Sequence, residues 1–202
     1  MIHYNEKYPQ NISCEFFPPK TGQGKEKLAN TLNELKAIKP SYISVTFGAG
    51  GSTQEGTLET VLSIKSEGID AAPHLSCIGS SQDNIRTILD EYKAQGITLI
   101  VALRGDMPSG MRAMGKFRYA NELISFIRSE YGDYFHLEVA AYPEFHPQAS
   151  TAQVDLNNFK RKVDAGANAA ITQYFYNIDA YLRFVDDCEK MGLDLPIVPG
   201  IM

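Results

Sequence analysis

Six short apolar segments of this sequence end in polar or titratable side chains. Glu15 closes the first, His74 and Asp106 lie at the ends of the third and fourth, and His146 and Gln173 follow the fifth and sixth. Carboxylates and imidazoles can exchange protons with a substrate, and an amide can orient one through hydrogen bonds. Each residue alone is often structural, but the repetition predicts that these side chains converge on one site.

Two further features indicate a nucleotide-like cofactor. The glycine-rich stretch 48–52, Gly-Ala-Gly-Gly-Ser, would let backbone N–H groups approach a ligand closely, although it is not a complete G-x-G-x-x-G motif. Asp155, Asn158, Arg161 and Lys162 share one side of a predicted helix. Taken alone, such a side is usually a solvated face; as a site, it would hold a diphosphate with its cations and a ribose hydroxyl with its carboxylate.

A metal centre is the alternative interpretation of the same segment ends. His74, Asp106 and His146 could be placed around a divalent ion, as in barrel hydrolases. The first segment carries no His-x-His pair, and no pattern of supporting residues accompanies the three side chains. The sequence therefore predicts no metal site.

The elements that must position these residues alternate strictly. Six stretches of helical periodicity, for example Leu28, Leu32 and Leu35, separate apolar segments bounded by Gly or Pro. The predicted strands are Asn11–Phe17, Tyr42–Phe47, Ile69–Cys77, Ile97–Leu103, His136–Tyr142, Asn168–Phe175 and Leu195–Ile201. Such alternation is typical of parallel βαβ units.

Helix boundaries carry recognisable signals. Ser52 with Glu55 and Ser150 with Gln153 have capping-box spacing, and Asn177 precedes the last helix. Helix ends are predicted at five glycines, which adopt a left-handed backbone at little cost: Gly68, Gly96, Gly132, Gly166 and Gly192.

Side-chain parity favours a barrel over an open sheet. Alternate strand positions are polar, as at Glu15, Ser44 and His74, whereas the positions between them, such as Ile43 and Val45, are apolar. An open sheet covered by helices would be apolar on both faces. We therefore predict an α/β fold of the (β/α)8 TIM-barrel class, whose chemistry lies at the carboxyl ends of the strands.

Composition excludes several classes of protein. The 202 residues carry 19 Lys and Arg against 24 Asp and Glu, a net charge of −5, so nothing indicates nucleic acid or an anionic membrane as a partner. No apolar run is long enough to cross a bilayer, and the first residues do not form a signal peptide. Three separated cysteines are typical of a reducing, cytoplasmic location.

The segment ends resemble methylenetetrahydrofolate reductases of the bacterial, single-domain, FAD-dependent type. The resemblance runs through the whole chain in order and is carried by the stretches SCEFFPP from Ser13, SVTFGA from Ser44, APHLSC from Ala72, VALRGD from Val101, VAAYPE from Val139, KRKVDAGA from Lys160, AITQYF from Ala170 and PGI from Pro199. It implies one flavin-binding TIM-barrel catalytic domain over residues 1–202. The implied activity is reduction of 5,10-methylenetetrahydrofolate to 5-methyltetrahydrofolate with NADH or NADPH, in a ping-pong cycle through tightly bound FAD.

The resemblance also implies roles for particular residues. Glu15 would donate a proton to folate N10, with a pKa raised by burial beside Phe16 and Phe17. Asp106 would orient the pterin and stabilise its cation, and Gln173 would contact the folate ring. The matching FAD-binding positions are Thr46, His74, Leu103, Arg104, Gly105, Asp106, Tyr119, Ala120, Tyr142, His146, Asp155, Asn158, Arg161 and Lys162. Folate and a nicotinamide nucleotide are the implied partners, and family analogy implies a homo-oligomer.

The end of the chain differs from the eight-unit barrel that the resemblance implies. Met202 follows directly on the seventh predicted strand, so the last helix–strand–helix portion of an eight-unit barrel is absent from this sequence, and we expect a truncated form of a longer polypeptide. Two other functions stay open. One is a metal-dependent barrel hydrolase or lyase, and the other is a barrel that binds flavin or folate without catalysis.

Overall fold

Strands and helices alternate as the sequence predicts in the computed structural model, which describes residues 11–47, 54–106 and 115–202. The elements are β1 Ser13–Phe16, α1 Gly22–Leu35, a short 3-10 helix Lys36–Ile38, β2 Tyr42–Val45, α2 Gln54–Ser66, β3 Ala71–Ser76, α3 Gln82–Ala94, β4 Leu99–Leu103, α4 Ala120–Tyr131, β5 His136–Ala141, α5 Ala152–Asp164, β6 Ala169–Thr172, α6 Ile178–Lys190 and β7 Ile197–Val198. Each strand lies within its predicted segment. The predicted glycine-rich loop 48–52 lies outside the described residues.

The strands follow chain order, β1 to β7, in a seven-stranded sheet. β1 pairs in parallel with β2, and β2 with β3, so that Glu15 lies opposite Ser44. β5 pairs in parallel with β6, and β6 with β7. Parallel strands in sequential order, separated by helices, have the topology of a (β/α)8 barrel, of which seven strands and the helices between them are present here.

The chain forms two compact units. The first comprises Met1–Ser76 with Asp90–Ile100, and the second comprises Cys77–Leu89 with Val101–Met202. β1 to β3 with α1 and α2 belong to the first unit, and β5 to β7 with α4 to α6 belong to the second.

Both sides of β2 and of β5 are buried, with different chemistry on each. In β2, Ile43 and Val45 are completely covered, while the alternate residue Ser44 is 3% exposed. In β5, Leu137 and Val139 are covered, and Glu138 between them is 5% exposed. In both strands the polar positions are therefore nearly as buried as the apolar ones.

Helix ends agree with the glycine signals, and one start differs. The five predicted terminal glycines all have positive φ, between 57° and 110°. Asn177 caps α6 by accepting from the Asp179 N–H at 2.9 Å, as predicted. The capping box at Ser150 is wrong, because extended Thr151 is the N-cap and its Oγ1 accepts from the Val154 N–H at 3.2 Å. Ser52 of the other predicted capping box lies outside the described residues.

Two global properties follow from the described residues. No helix among them is long and apolar enough to cross a membrane. All three cysteines are free thiols, of which Cys77 and Cys188 are buried.

One buried and one half-buried tyrosine hydroxyl give a stability test. The Tyr92 side chain is fully buried, and its hydroxyl has no hydrogen-bond partner among the described residues. The Tyr181 hydroxyl donates to the Ile197 carbonyl at 2.8 Å. Because an unpaired buried hydroxyl costs free energy, Tyr92→Phe should keep or raise the free energy of unfolding, by up to about 1 kcal/mol. Tyr181→Phe should lower it by about 1 kcal/mol.

Urea unfolding of the two variants measures the difference in their free energies of unfolding, analysed with the same slope of free energy against urea concentration. An equal loss in both variants would contradict the assignment of the Tyr92 hydroxyl as unpaired.

Candidate functional site

A cavity of about 550 Å³ in the second unit collects most of the predicted cofactor-binding residues. The segment after β4, the start of α4, the loop after β5 and one face of α5 line it. Its lining includes Leu103, Arg104, Gly105, Asp106, Tyr119, Ala120, Tyr142, His146, Asp155, Asn158, Arg161 and Lys162. These are twelve of the fourteen positions implied for FAD, and the other two, Thr46 and His74, belong to the first unit.

Local structure explains how these side chains reach the cavity. Gly105 has φ +81°, a conformation that favours glycine, and it turns the chain directly after β4 between Arg104 and Asp106. Asp155, Asn158 and Lys162 recur at helical spacing along α5, so one face of that helix supplies them all.

The three cations of the cavity are all held by uncharged oxygens. Arg104 Nη2 donates to Gln148 Oε1 at 2.7 Å, and Arg161 Nη1 donates to Asn158 Oδ1 at 3.1 Å. Lys162 Nζ donates to the carbonyl of Ala140 in β5. Among the described residues, none of the three forms an ion pair with a carboxylate. Their positive charge is therefore available to an anionic ligand.

The carboxylate of the same helix face is used by the backbone instead. Asp155 Oδ2 accepts from the His146 N–H at 3.0 Å, which ties α5 to the loop after β5. The Tyr142 and His146 rings meet edge to face at 4.6 Å between centroids. Burial raises the pKa of Tyr142, and the nearby Asp155 and Asp106 carboxylates raise it further, so the phenol stays a neutral hydrogen-bonding group.

A second groove of similar volume, about 570 Å³, shows why volume alone does not identify the site. It lies in the first unit and is lined by Lys36, Lys39 and Lys65 together with Glu67 and Asp70. Lys36 Nζ lies 2.7 Å from Glu67 and Lys65 Nζ lies 3.9 Å from Asp70. Carboxylates therefore already compensate two of its three lysines, unlike the cations of the first cavity.

Glu15 pairs with His74 in the first unit. His74 Nε2 is buried and lies 3.3 Å from Glu15 Oε2, but without the alignment of a good hydrogen bond, so the contact is mainly electrostatic. The prediction of a raised Glu15 pKa is wrong. The close contact with His74 lowers it, which outweighs the opposite effect of partial burial, and the electrostatic interaction with the same imidazole adds to the lowering. The Glu15 side chain is 52% exposed and Phe17 is 69% exposed, so the expected apolar enclosure is missing.

Thr46 is the other predicted cofactor-binding residue of the first unit. Its backbone carbonyl accepts from the Thr57 hydroxyl at 2.9 Å, but its own Oγ1 is buried without a partner among the described residues. Since buried polar atoms are nearly always paired, Thr46 Oγ1 and His74 Nε2 are both positions where a ligand atom could complete a hydrogen bond.

The two predicted substrate-binding residues, Asp106 and Gln173, differ in their relation to the cavity. Asp106 is exposed and lines the cavity. Gln173 is also exposed but does not line it, and its Oε1 accepts from the Tyr174 N–H at 3.2 Å.

Sequence reasoning missed Gln148, which lines the cavity and holds Arg104. Its only signal is that it directly follows the segment 142–147 at the end of the fifth predicted strand. Nothing in its residue type distinguishes it from a solvent-exposed glutamine.

No group of three or more His, Cys, Asp or Glu side chains within residues 11–47, 54–106 and 115–202 could hold a metal ion. The metal interpretation therefore has no support from the described part of the chain.

Comparison with known sequences gives a consistent family. Residues 2–202 match the family model of methylenetetrahydrofolate reductase. The chain is 48% identical over 194 residues to the 5,10-methylenetetrahydrofolate reductase of Escherichia coli (strain K12), a match that covers 95% of this chain and 64% of that protein. It is 42% identical over 205 residues to methylenetetrahydrofolate reductase (NADH) 1 of Arabidopsis thaliana, with coverage of 95% and 35%. The chain thus spans about two thirds or less of the length of these relatives.

Comparison with solved structures agrees on the fold. An uncharacterised protein from Clostridium thermocellum that binds two copies of 5-methyl-5,6,7,8-tetrahydrofolic acid has a TM-score of 0.64 at 15% identity, and the match covers 98% of this chain and 68% of that one. Phosphonopyruvate hydrolase has a TM-score of 0.68 at 13% identity, with coverage of 97% and 69%. At these identities the likeness concerns the barrel architecture alone.

Lys162 gives a testable consequence of the charge arrangement. Burial lowers its pKa to about 8, against a smaller opposing effect of Asp155. Because the unfolded chain binds this proton more tightly, the lysine destabilises the fold below pH 8, and the penalty fades as the pH rises towards 10.5. The shift corresponds to roughly 3 kcal/mol, and the lost hydrogen bond to Ala140 offsets part of it. Lys162→Met should therefore raise the free energy of unfolding at pH 7 by about 1–2 kcal/mol.

Denaturant unfolding between pH 7 and 10 measures two expected changes in Lys162→Met: the increase in the free energy of unfolding at pH 7 and the loss of its dependence on pH. Lys160→Met is the matched control, because Lys160 is on the same helix but its side chain is 38% exposed and paired with Asp164 at 2.8 Å. A gain in the control as large as that in Lys162→Met would refute the burial explanation.

Proposed function

The chain belongs to the methylenetetrahydrofolate reductase family, and we propose that it carries out the flavin-dependent reduction of 5,10-methylenetetrahydrofolate to 5-methyltetrahydrofolate. NADH or NADPH is the proposed electron donor, and the two half-reactions alternate at one tightly bound FAD. Residues 1–202 form the proposed flavin-binding catalytic domain, in the cytoplasm. The family membership supports the substrate class.

The observation that carries this proposal is the set of three cations without carboxylate partners in the 550 Å³ cavity. FAD contains a pyrophosphate with two negative charges, and guanidinium and ammonium groups are its usual protein partners. Arg104, Arg161 and Lys162 would hold that pyrophosphate, and Asp155 would accept from a ribose hydroxyl. The donor set therefore fits the cofactor.

Other residues would complete the cofactor site. The aromatic rings of Tyr142 and His146 would form one wall of the site. The backbone at Gly105 allows the cofactor to approach closely, because glycine has no Cβ. Thr46 and His74 are also proposed as cofactor-binding residues, since each offers a buried polar atom without a good partner. When bound, FAD supplies the hydride transfer, while the protein binds and orients the reactants.

Glu15, Asp106 and Gln173 are the proposed substrate residues. Glu15 would protonate folate N10, and Asp106 would orient the pterin and stabilise positive charge on it. Gln173 would hydrogen-bond the ring through its amide. Because the contact with His74 lowers the Glu15 pKa, the carboxyl must first gain a proton. We infer that substrate binding displaces this contact or buries the exposed carboxyl, since either change raises the pKa.

Cofactor binding is the first test. The purified protein should be yellow or should become yellow on reconstitution with FAD, and reduced nicotinamide should bleach it without oxygen. Arg161→Met should weaken FAD binding about tenfold and flatten its dependence on salt, because one cation of the cavity is lost. Fluorescence titration with FAD measures both effects.

Arg183→Met is the control for this titration, because Arg183 is exposed on α6 and does not line the cavity. A protein that stays colourless with FAD, or equal losses in the two variants, would exclude this assignment of the site.

Proton donation is the second test. Glu15→Gln should leave reduction of the bound flavin by reduced nicotinamide within about twofold of the wild-type rate. Reoxidation by 5,10-methylenetetrahydrofolate should fall by a factor of about 100 or more, because the amide cannot supply a proton. Stopped-flow absorbance follows the two half-reactions separately.

Glu26→Gln, at an exposed position of α1, should leave both half-reactions unchanged. Equal losses in the two half-reactions of Glu15→Gln would show that Glu15 acts in cofactor binding rather than in proton transfer. Normal flavin binding without turnover would favour a non-catalytic binding protein.

A further inference from the structure

Gln148 joins two cavity residues that come from different strand ends. Its Oε1 accepts from Arg104 Nη2 at 2.7 Å, from the segment after β4. Its backbone N–H donates to His146 Nδ1 at 3.1 Å, in the loop after β5. His146 is itself held through its backbone N–H by Asp155 at 3.0 Å. Gln148 is therefore fixed to α5 through this chain of contacts, independently of its own side chain.

The contact with Gln148 is the principal constraint on the Arg104 guanidinium. Within the described part of the chain, the other hydrogen bond of this group is from Nε to the carbonyl of Gly105, the next residue, at 3.2 Å. A contact to the adjacent residue limits the direction of a long side chain only weakly. The amide oxygen of Gln148, 44 positions along the chain, determines where the guanidinium points.

We propose that Gln148 is a positioning residue whose side-chain oxygen holds Arg104 over the cavity for the anionic part of a nucleotide cofactor. This inference rests on the proposed function for the identity of the ligand, but not for the contact itself. An arginine held in place before binding loses less conformational entropy when the ligand arrives. A neutral acceptor also orients the guanidinium without cancelling its charge.

The same residue sets the hydrogen-bonding state of His146. Because Nδ1 accepts from the Gln148 N–H, the neutral imidazole carries its proton on Nε2. That proton is then available to an acceptor on a ligand. Side-chain substitutions at Gln148 keep this backbone contact, so they test the Arg104 contact separately.

The first experiment needs no ligand. The side-chain N–H signals of Arg104, assigned by their loss in Arg104→Lys, are compared by NMR in the wild type, Gln148→Ala, Gln148→Leu and Gln148→Glu. Loss of the acceptor in the first two variants should speed solvent exchange of these protons at least fivefold. Gln148→Glu retains an acceptor oxygen and should keep exchange slow. Fast exchange in Gln148→Glu, or unchanged exchange in Gln148→Ala and Gln148→Leu, would overturn the proposal.

The second experiment measures the dissociation constant for FAD by fluorescence. Gln148→Ala should raise it about fivefold, which corresponds to the loss of one modest hydrogen-bond contribution. In an Arg104→Met background the same substitution should have no further effect, because there is no guanidinium left to position. Gln153→Ala is the control, since its side chain bonds only Asn157 at 3.4 Å among the described residues.

The two experiments test the proposed function and the positioning role of Gln148 separately. Faster exchange in Gln148→Ala together with a wild type that binds no FAD would overturn the proposed function and leave the positioning of Arg104 intact. A wild type that binds FAD, with unchanged affinity in Gln148→Ala, would overturn the role of Gln148 in ligand binding. A persistent fivefold loss in the Arg104→Met background would show that Gln148 acts on the ligand by another route.

Discussion

One guanidinium, that of Arg128, organises the amino-terminal ends of β5 and β6. Its Nε and Nη2 donate to the Gly166 carbonyl at 3.0 and 2.8 Å, and its Nη1 donates to the carbonyls of Gly132 and Phe135. Nη2 also donates to Asn168 Oδ1 at 2.6 Å. The side chain is 16% exposed, and burial lowers its pKa, so these acceptors are needed to offset the loss of water.

The same arrangement fixes the chain just after α5, the helix whose face lines the cavity. Gly166 follows the end of α5 with φ +110°, and a Cβ there would lie 2.9 Å from Arg128 Nε. Glycine therefore lets the chain turn two residues beyond the end of α5, so that the guanidinium can reach the Gly166 carbonyl. Asn168 Oδ1 also accepts from the Leu137 N–H at 2.8 Å, which aligns the start of β6 with β5. These contacts fix the segment between α5 and β6 against α4 and the start of β5.

Charge is distributed differently inside the cavity and outside it. On the surface, cations pair with carboxylates, as Lys25 does with Glu59 and Lys190 with Asp187. In the cavity, amide and carbonyl oxygens take the place of carboxylates. Such an arrangement costs stability, in line with the lowered pKa of Lys162, because neutral oxygens and the smaller effect of Asp155 compensate a buried charge only in part. It is the pattern expected where a bound anion supplies the missing negative charge.

The alternation of strands and helices, the glycine helix ends and the face of α5 were all predictable from the sequence, because they depend on local periodicity and backbone preference. The resemblance also pointed to twelve residues that the tertiary structure places around one cavity. The pKa of Glu15 was not predictable, because its direction depends on the distance to His74, 59 positions away, and on how much water reaches the carboxyl. The contact of Gln148 with Arg104 was equally unpredictable from the sequence. An exposed glutamine acquires a role only through the residue that it contacts, here Arg104. The packing of segments distant in sequence determines that contact, and the neighbouring residues in the chain do not.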